Sequence, residues 1–329
     1  MRLRNILACA IIGSGIAAAP ALAEEMKFAN FMAATHPYVA GAFEPFAKAV
    51  ADGTKGAVKV TLYNGGELGG GPVEQYSRVV DGAAEFVVGL PGYTASNFPI
   101  TLLTELPGVI TEADGTEKIW KNIDLFEPEY KRVKLVSLWS SAENVLYMRE
   151  KPVHTPQDIA GLKIRVPSRN SGLLVQAWGA TPVSMPVSEI YNAMQTGVID
   201  GAMIDGTATR AFKLGEVAKY LTLGMKTTIS PFFILMNRDA FDSLTPDQQA
   251  AIEAAGRKAS TLGNQVQLTV AAKGIKAFGD MKDKQVIHLT ADEAAAFDAL
   301  SAKVVDQVVK ETTDQGIDAQ HIIDALKAN

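Results

Sequence analysis

The residues with the clearest chemical purpose lie in Gly161-Leu162-Lys163-Ile164-Arg165-Val166-Pro167-Ser168, where an arginine interrupts an apolar strand that runs straight into a loop. A guanidinium is expensive to bury without a partner. Held by a strand, its planar fork grips a carboxylate through two parallel hydrogen bonds, which suits recognition of a small organic acid. Period-two alternation leaves a second reading open, in which Lys163 and Arg165 share the solvent face of an edge strand. His36 precedes Pro37 at the end of the first expected strand, and ligands of open α/β sheets bind beyond the carboxyl ends of strands. Glu67 sits in the glycine-rich loop Asn64–Gly71, whose backbone N–H groups suit an anion ahead of a helix. Its own carboxylate repels an anion unless it pairs with an arginine or bonds a ligand hydroxyl. Aromatic contacts come from Tyr93, in the loop after a strand, and from Trp139 and Phe232 on apolar strands that also need core residues. Ser168, next to the arginine strand, is a polar candidate.

Reactive constellations are missing. The chain has no H-E-x-x-H, no G-x-S-x-G, no P-loop and no strand-linked G-x-G-x-x-G, and its histidines, His36, His154, His288 and His321, are scattered. The one cysteine, Cys9, falls in the first segment. No metal and no cofactor is expected, and catalysis has no nucleophile to start from. With 31 basic and 36 acidic residues and no run of Lys or Arg, nucleic acid is an unsuitable partner.

The elements that position these residues read as α/β. Met1-Arg2-Leu3-Arg4, the apolar run Ile6–Ala19 and Ala21-Leu22-Ala23 have the form of a secretory signal peptide cleaved after Ala23. Cys9 also permits a lipid-attachment reading, although the better cleavage site lies downstream. Removing residues 1–23 takes away two arginines and no acid, so the exported chain carries 29 basic and 36 acidic residues, a formal charge of −7. A cysteine-free exported chain of 329 residues, 47% hydrophobic, relies on a large core, as suits a bacterial periplasm.

Beyond the signal, strands at Met26–Phe31, Val58–Tyr63, Ala84–Val88, Leu162–Val166, Val198–Ile204, Phe232–Asn237 and Val286–Leu289 alternate with helices. Pro72, Thr155-Pro156-Gln157-Asp158 and Ser188-Glu189 mark helix starts, and Gly53, Gly161 and Gly197 mark stops. Thr245-Pro246-Asp247 caps a helix that continues without proline to about Phe278, unusually long for a globular protein.

Gly161–Pro167, Trp178–Val183 and Pro186–Gly201 together resemble the signature run of TRAP-transporter solute-binding proteins of the DctP type. The signal segment, Asn64–Leu68, the Tyr93 region and the Thr245 helix are similar in order and spacing, so the resemblance spans essentially the whole mature chain. It implies an α/β, two-lobed periplasmic binding protein fold with mixed sheets, hinge strands and a long lobe-spanning helix. Lobe 1 is expected at 24–147, with about 235–275 returning to it or spanning, and lobe 2 at 148–234, with about 280–329 returning to it.

The implied function is capture of a small organic acid and delivery to TRAP permease subunits in the membrane, without chemistry. Arg165 corresponds to the family's selectivity arginine. Arg149 matches a second position often occupied by arginine near the ligand; a surface pairing with Glu150 is the other reading. Where sialic-acid-type members carry a polar Glu-Asn-Pro run, this chain has Ala202-Met203-Ile204. Ile204 is therefore an apolar contact, and the expected ligand is a compact monocarboxylate: an aromatic, keto or hydroxy acid. Two other classes compete: an exported enzyme that holds a carboxylate on Arg165, and the receptor of an ATP-driven importer.

Overall fold

The computed structural model describes residues 23–328; residues 1–22 of the signal segment, with Cys9, fall outside the described residues. Among the described residues eleven strands form two mixed sheets. In chain order they are β1 (Glu24–Ala29), β2 (Val58–Tyr63), β3 (Phe86–Gly89), β4 (Val133–Glu143), β5 (Val145–Met148), β6 (Lys163–Val166), β7 (Thr181–Ser184), β8 (Gly201–Ile204), β9 (Tyr220–Leu223), β10 (Ile229–Asn237) and β11 (Gln285–His288). The first sheet runs β2-β1-β3-β10-β4 and the second β11-β9-β5-β8-β6-β7. β1, β2 and β3 are parallel, as short βαβ units require, while β10 lies antiparallel between β3 and β4.

The chain changes sheet at Asn144, between β4 and β5, and changes back between β9 and β10. The crossings lie at Asn144 and in residues 224–228, whereas the expected boundaries follow 147 and 234. Pro231, expected to precede its strand, sits inside β10 at a register shift between Ile229 and Pro231, where a residue without an N–H costs no ladder bond. Pro72 does not open a helix either: the helix forms later, at Gln75–Val80, after Gly71 N–H has bonded the Glu74 carboxylate at 2.6 Å.

One apolar cluster belongs to each lobe, and a third runs through both, from Val87 and Phe98 to Leu146 and Ile164. Phe28, Phe43, Phe46 and Phe86 pack edge-to-face or tilted on the first sheet, with ring centroids 5.2–6.3 Å apart. Tyr147, Ile190, Met194 and Leu221 fill one side of the second sheet. The helix Ala291–Asp314 covers Trp178, whose Nε1–H donates to Ser301 Oγ at 3.1 Å.

The helix Pro246–Gly279 ties the lobes together. Thr245 caps it by accepting the Gln248 N–H, in a capping box. Two glycines let it lie close to both sheets. A Cβ on Gly256 would stand 1.9 Å from the Val136 carbonyl oxygen in β4, and one on Gly274 would stand 1.9 Å from the Gly206 carbonyl oxygen after β8. The two contacts are eighteen residues apart, about 27 Å along the helix axis. One rod therefore braces both lobes. Among the described residues no helix is long and apolar enough to cross a membrane.

Candidate functional site

A cleft of about 470 Å³, its open mouth included, lies between the sheets. The segment after β1 supplies Phe31, Met32, His36 and Tyr38; the segment after β3 supplies Leu90 and Tyr93. Ser230 and Phe232 come from β10 and Asn144 from the crossing. The second lobe adds Arg165, Pro167 and Val187, then Ile204 at the end of β8 and Asp205, Thr207 and Phe212 after it, and the long helix adds Gln267. Most of these follow the carboxyl ends of strands, where loops of an open α/β sheet converge.

Arg165 is 1% exposed and stands on β6, which has β8 on one side and β7 on the other. The shared solvent face of an edge strand is thus excluded: Lys163 points to solvent and Arg165 inward. The guanidinium donates Nε–H to the Met185 carbonyl at 3.0 Å, Nη1–H to the Met203 carbonyl at 3.3 Å and Nη2–H to the Tyr93 hydroxyl at 3.3 Å. A guanidinium has five N–H donors, so one on each terminal nitrogen remains uncommitted. No carboxylate of the described residues lies within ion-pair distance of it. Burial pulls its pKa down, opposed by the Tyr93 hydroxyl and the charge of Asp205; the group stays cationic all the same.

His36 shapes the opposite wall. Its Nδ1 accepts the Tyr38 N–H at 3.3 Å, which leaves the proton on Nε2 as a donor. Burial pushes its pKa down to about 4, so the imidazole is neutral at ordinary pH. Its ring lies 5.2 Å from Tyr38 and 5.6 Å from Phe212. Tyr38 stacks edge-on against Phe232 at 5.5 Å, completing an aromatic wall.

Asp205, 5% exposed, accepts the Thr207 N–H on Oδ1 at 2.9 Å and the Gln267 amide on Oδ2 at 2.8 Å. Burial raises its pKa, and the bonds from Thr207 and Gln267 counter the rise.

The structure brings Arg165, Tyr93, His36, Ile204 and Phe232 into one cleft and leaves four other candidates out of it. Trp139 is fully buried behind Phe232, stacked at 5.6 Å, and donates Nε1–H to the Tyr38 hydroxyl at 3.0 Å; it supports the wall as core. Ser168 is committed as the cap of the helix Arg169–Ala177 and as donor to buried Glu105 at 2.7 Å. Glu67 is exposed on its loop.

Arg149 lies away from the cleft lining: Val145 pairs with Ile204 at the cleft, and Met148 pairs with Gly201 at the opposite end. Arg149 follows Met148, about 13 Å along the strand from Val145, with Glu150 3.9 Å away.

Sequence reasoning missed Tyr38, Asp205 and Gln267. Asp205 carried a signal akin to that of Arg165, a charge directly after an apolar strand where Arg165 is a charge within one. Gln267 falls in the buried stripe of the long helix with Ser260, Gly263 and Asn264, a polar residue on the face that should be apolar.

Residues 28–312 match the profile of the bacterial extracellular solute-binding proteins, family 7. A solute-binding protein of Albidiferax ferrireducens is 32% identical over 268 residues, 79% of this chain and 73% of that one. A TRAP solute-binding protein from a marine metagenome, specific for aromatic acid ligands and solved with 3-hydroxybenzoate, is similar in structure with a TM-score of 0.87 at 26% identity, covering 93% of this chain and 98% of that one. Another, from Rhodoferax ferrireducens and holding copurified benzoate, gives a TM-score of 0.86 at 26% identity, covering 92% and 96%.

Proposed function

The chain belongs to the bacterial extracellular solute-binding protein family 7, and we propose that its ligand is a compact aromatic monocarboxylate whose carboxylate docks on Arg165. As a TRAP-type receptor it binds a small organic acid for a membrane permease and performs no chemistry on it. The observation that carries the ligand assignment is the buried, unpaired Arg165 guanidinium with uncommitted N–H groups inside an aromatic cleft. An anion supplies the missing counter-charge through a two-pronged bond. Phe31, Phe212, Phe232 and Tyr38 suit the faces of a ring. The solved relatives that hold 3-hydroxybenzoate and benzoate support the same class. Cleavage after Ala23 exports the chain to the periplasm and leaves β1, which begins at Glu24, intact.

Calorimetry with an aromatic acid, a short keto acid and a C4 dicarboxylate tests this reading, alongside Arg165→Ala and Arg165→Lys. Stranding a buried ligand carboxylate costs about 3–5 kcal/mol, roughly two to three and a half decades of affinity. Arg165→Ala should therefore lose measurable binding of the aromatic acid. Arg165→Lys should regain only part of it, since the fork is gone. Binding of the aromatic acid to folded Arg165→Ala within a few-fold of wild type overturns the assignment.

A further inference from the structure

The cleft meets an anion at one end and leaves an acceptor unanswered at the other. Gln267 is 2% exposed and lines the cleft from the long helix. One of its two amide N–H groups donates to Asp205, and its Oε1 is buried with no donor among the described residues. The Asp205 carboxylate beside it accepts from Thr207 and Gln267 and, when ionised, presents acceptors alone to the cleft. A ligand carboxylate brings only acceptors, so it satisfies Arg165 and does nothing for this pair. An acid without a donor at this end leaves Oε1 desolvated and unpaired, whereas a hydroxyl answers it.

The spacing suits one molecule reaching both ends. Arg165 Nη1 donates to the Met203 carbonyl, Asp205 follows Met203 by two residues, a backbone separation of about 7 Å in an extended chain, and both side chains line the same cleft. A single aromatic ring with a carboxylate on one side and a hydroxyl on another is of that order of length. Resting on the aromatic-acid reading above, we infer that Asp205 and Gln267 form a second recognition element that accepts a hydrogen bond from a ligand hydroxyl, so that the preferred substrate class is the hydroxylated aromatic acid.

The test is calorimetry of the receptor with benzoate, 3-hydroxybenzoate, its para isomer and the methyl ether of each phenol, repeated on Gln267→Leu and Asp205→Asn. A phenol-bearing acid should bind the wild type about ten- to a hundredfold more tightly than benzoate or its own ether. In Gln267→Leu that preference should shrink to within about threefold, with the circular dichroism spectrum and a cooperative melt as proof that the variant is folded. Asp205→Asn should weaken the preference to an intermediate degree, because the acceptor remains but its charge does not. Equal binding of benzoate, phenols and ethers to the wild type overturns the inference and leaves the Arg165 assignment standing, as does a preference undiminished in both variants. If no aromatic acid binds at all, the aromatic-acid reading falls first and this inference with it.

Discussion

Tyr93 and Arg165 meet across the cleft: the phenol oxygen, carried by the first lobe, accepts the Arg165 Nη2–H at 3.3 Å and the Val187 N–H at 3.2 Å. Both donors belong to the second lobe, so one hydroxyl ties the lobes at the point where the proposed anchor sits. Hydrogen bonds to a charged group are worth about 1.5–3 kcal/mol, more than neutral ones.

Tyr93→Phe removes that tie and leaves the aromatic ring in place. It should weaken ligand affinity by about tenfold, with most of the loss in the off-rate. Stopped-flow binding checks the split, and scattering of the liganded protein should show a larger radius of gyration than wild type at equal occupancy. Wild-type affinity in Tyr93→Phe would show that the latch is inert.

Buried Glu105 makes stability depend on pH. Burial pushes its carboxyl up to about 8 from an ordinary 4.5, and Glu129 and Glu143 are pushed up to about 7, again by burial. A folded pKa above the unfolded one means that the native state holds the extra protons. The stability they contribute is complete below about 4.5 and is lost as pH rises through about 7 to 8. The melting temperature should accordingly be higher near about pH 6.5 than near about pH 8.5. Glu105→Gln should raise it at the alkaline end and flatten the profile. A lower melting temperature for Glu105→Gln at that end would contradict this account.

His36 titrates in the opposite sense. With its pKa near 4 instead of 6.5, the folded state resists the proton that the unfolded chain takes up, so its contribution is present above about 6.5 and lost as pH falls through about 4. Proton NMR of the ring should find a midpoint well below 5, and ligand affinity should show no histidine-like step between about pH 5 and 8. A midpoint above 6 would mean that the ring is solvated and does not form a dry wall.

Gly256 and Gly274 should tolerate no side chain. A Cβ at either position would meet a carbonyl oxygen at 1.9 Å, so each alanine variant must push the long helix off one lobe, at about 1–3 kcal/mol or more. Calorimetric unfolding measures the cost. Gly274→Ala should also reduce ligand affinity, because it lifts the helix near Gln267 and Asp205; Gly256→Ala, against β4, should affect stability alone. Wild-type stability in both would show that the helix is not braced there.

Local rules determine much of this protein's element structure. Helix caps and breakers work within a turn or two, so Thr245 announced the long helix and Gly197 the end of another. A charge in an apolar strand is costly wherever the strand lies, and that made Arg165 visible. What the sequence could not rank was company. Arg149 and Arg165 look alike along the chain, but strand order carries one to the cleft and leaves the other beyond the opposite end of the second sheet. Trp139 and Phe232 occupy facing positions of neighbouring strands, and only the packing decides that Phe232 lines the cleft and Trp139 stands behind it. Tyr38, Asp205 and Gln267 come from segments up to 229 residues apart. Their convergence depends on which strands pair and where one helix crosses both sheets, a long-range outcome that no local period or spacing encodes.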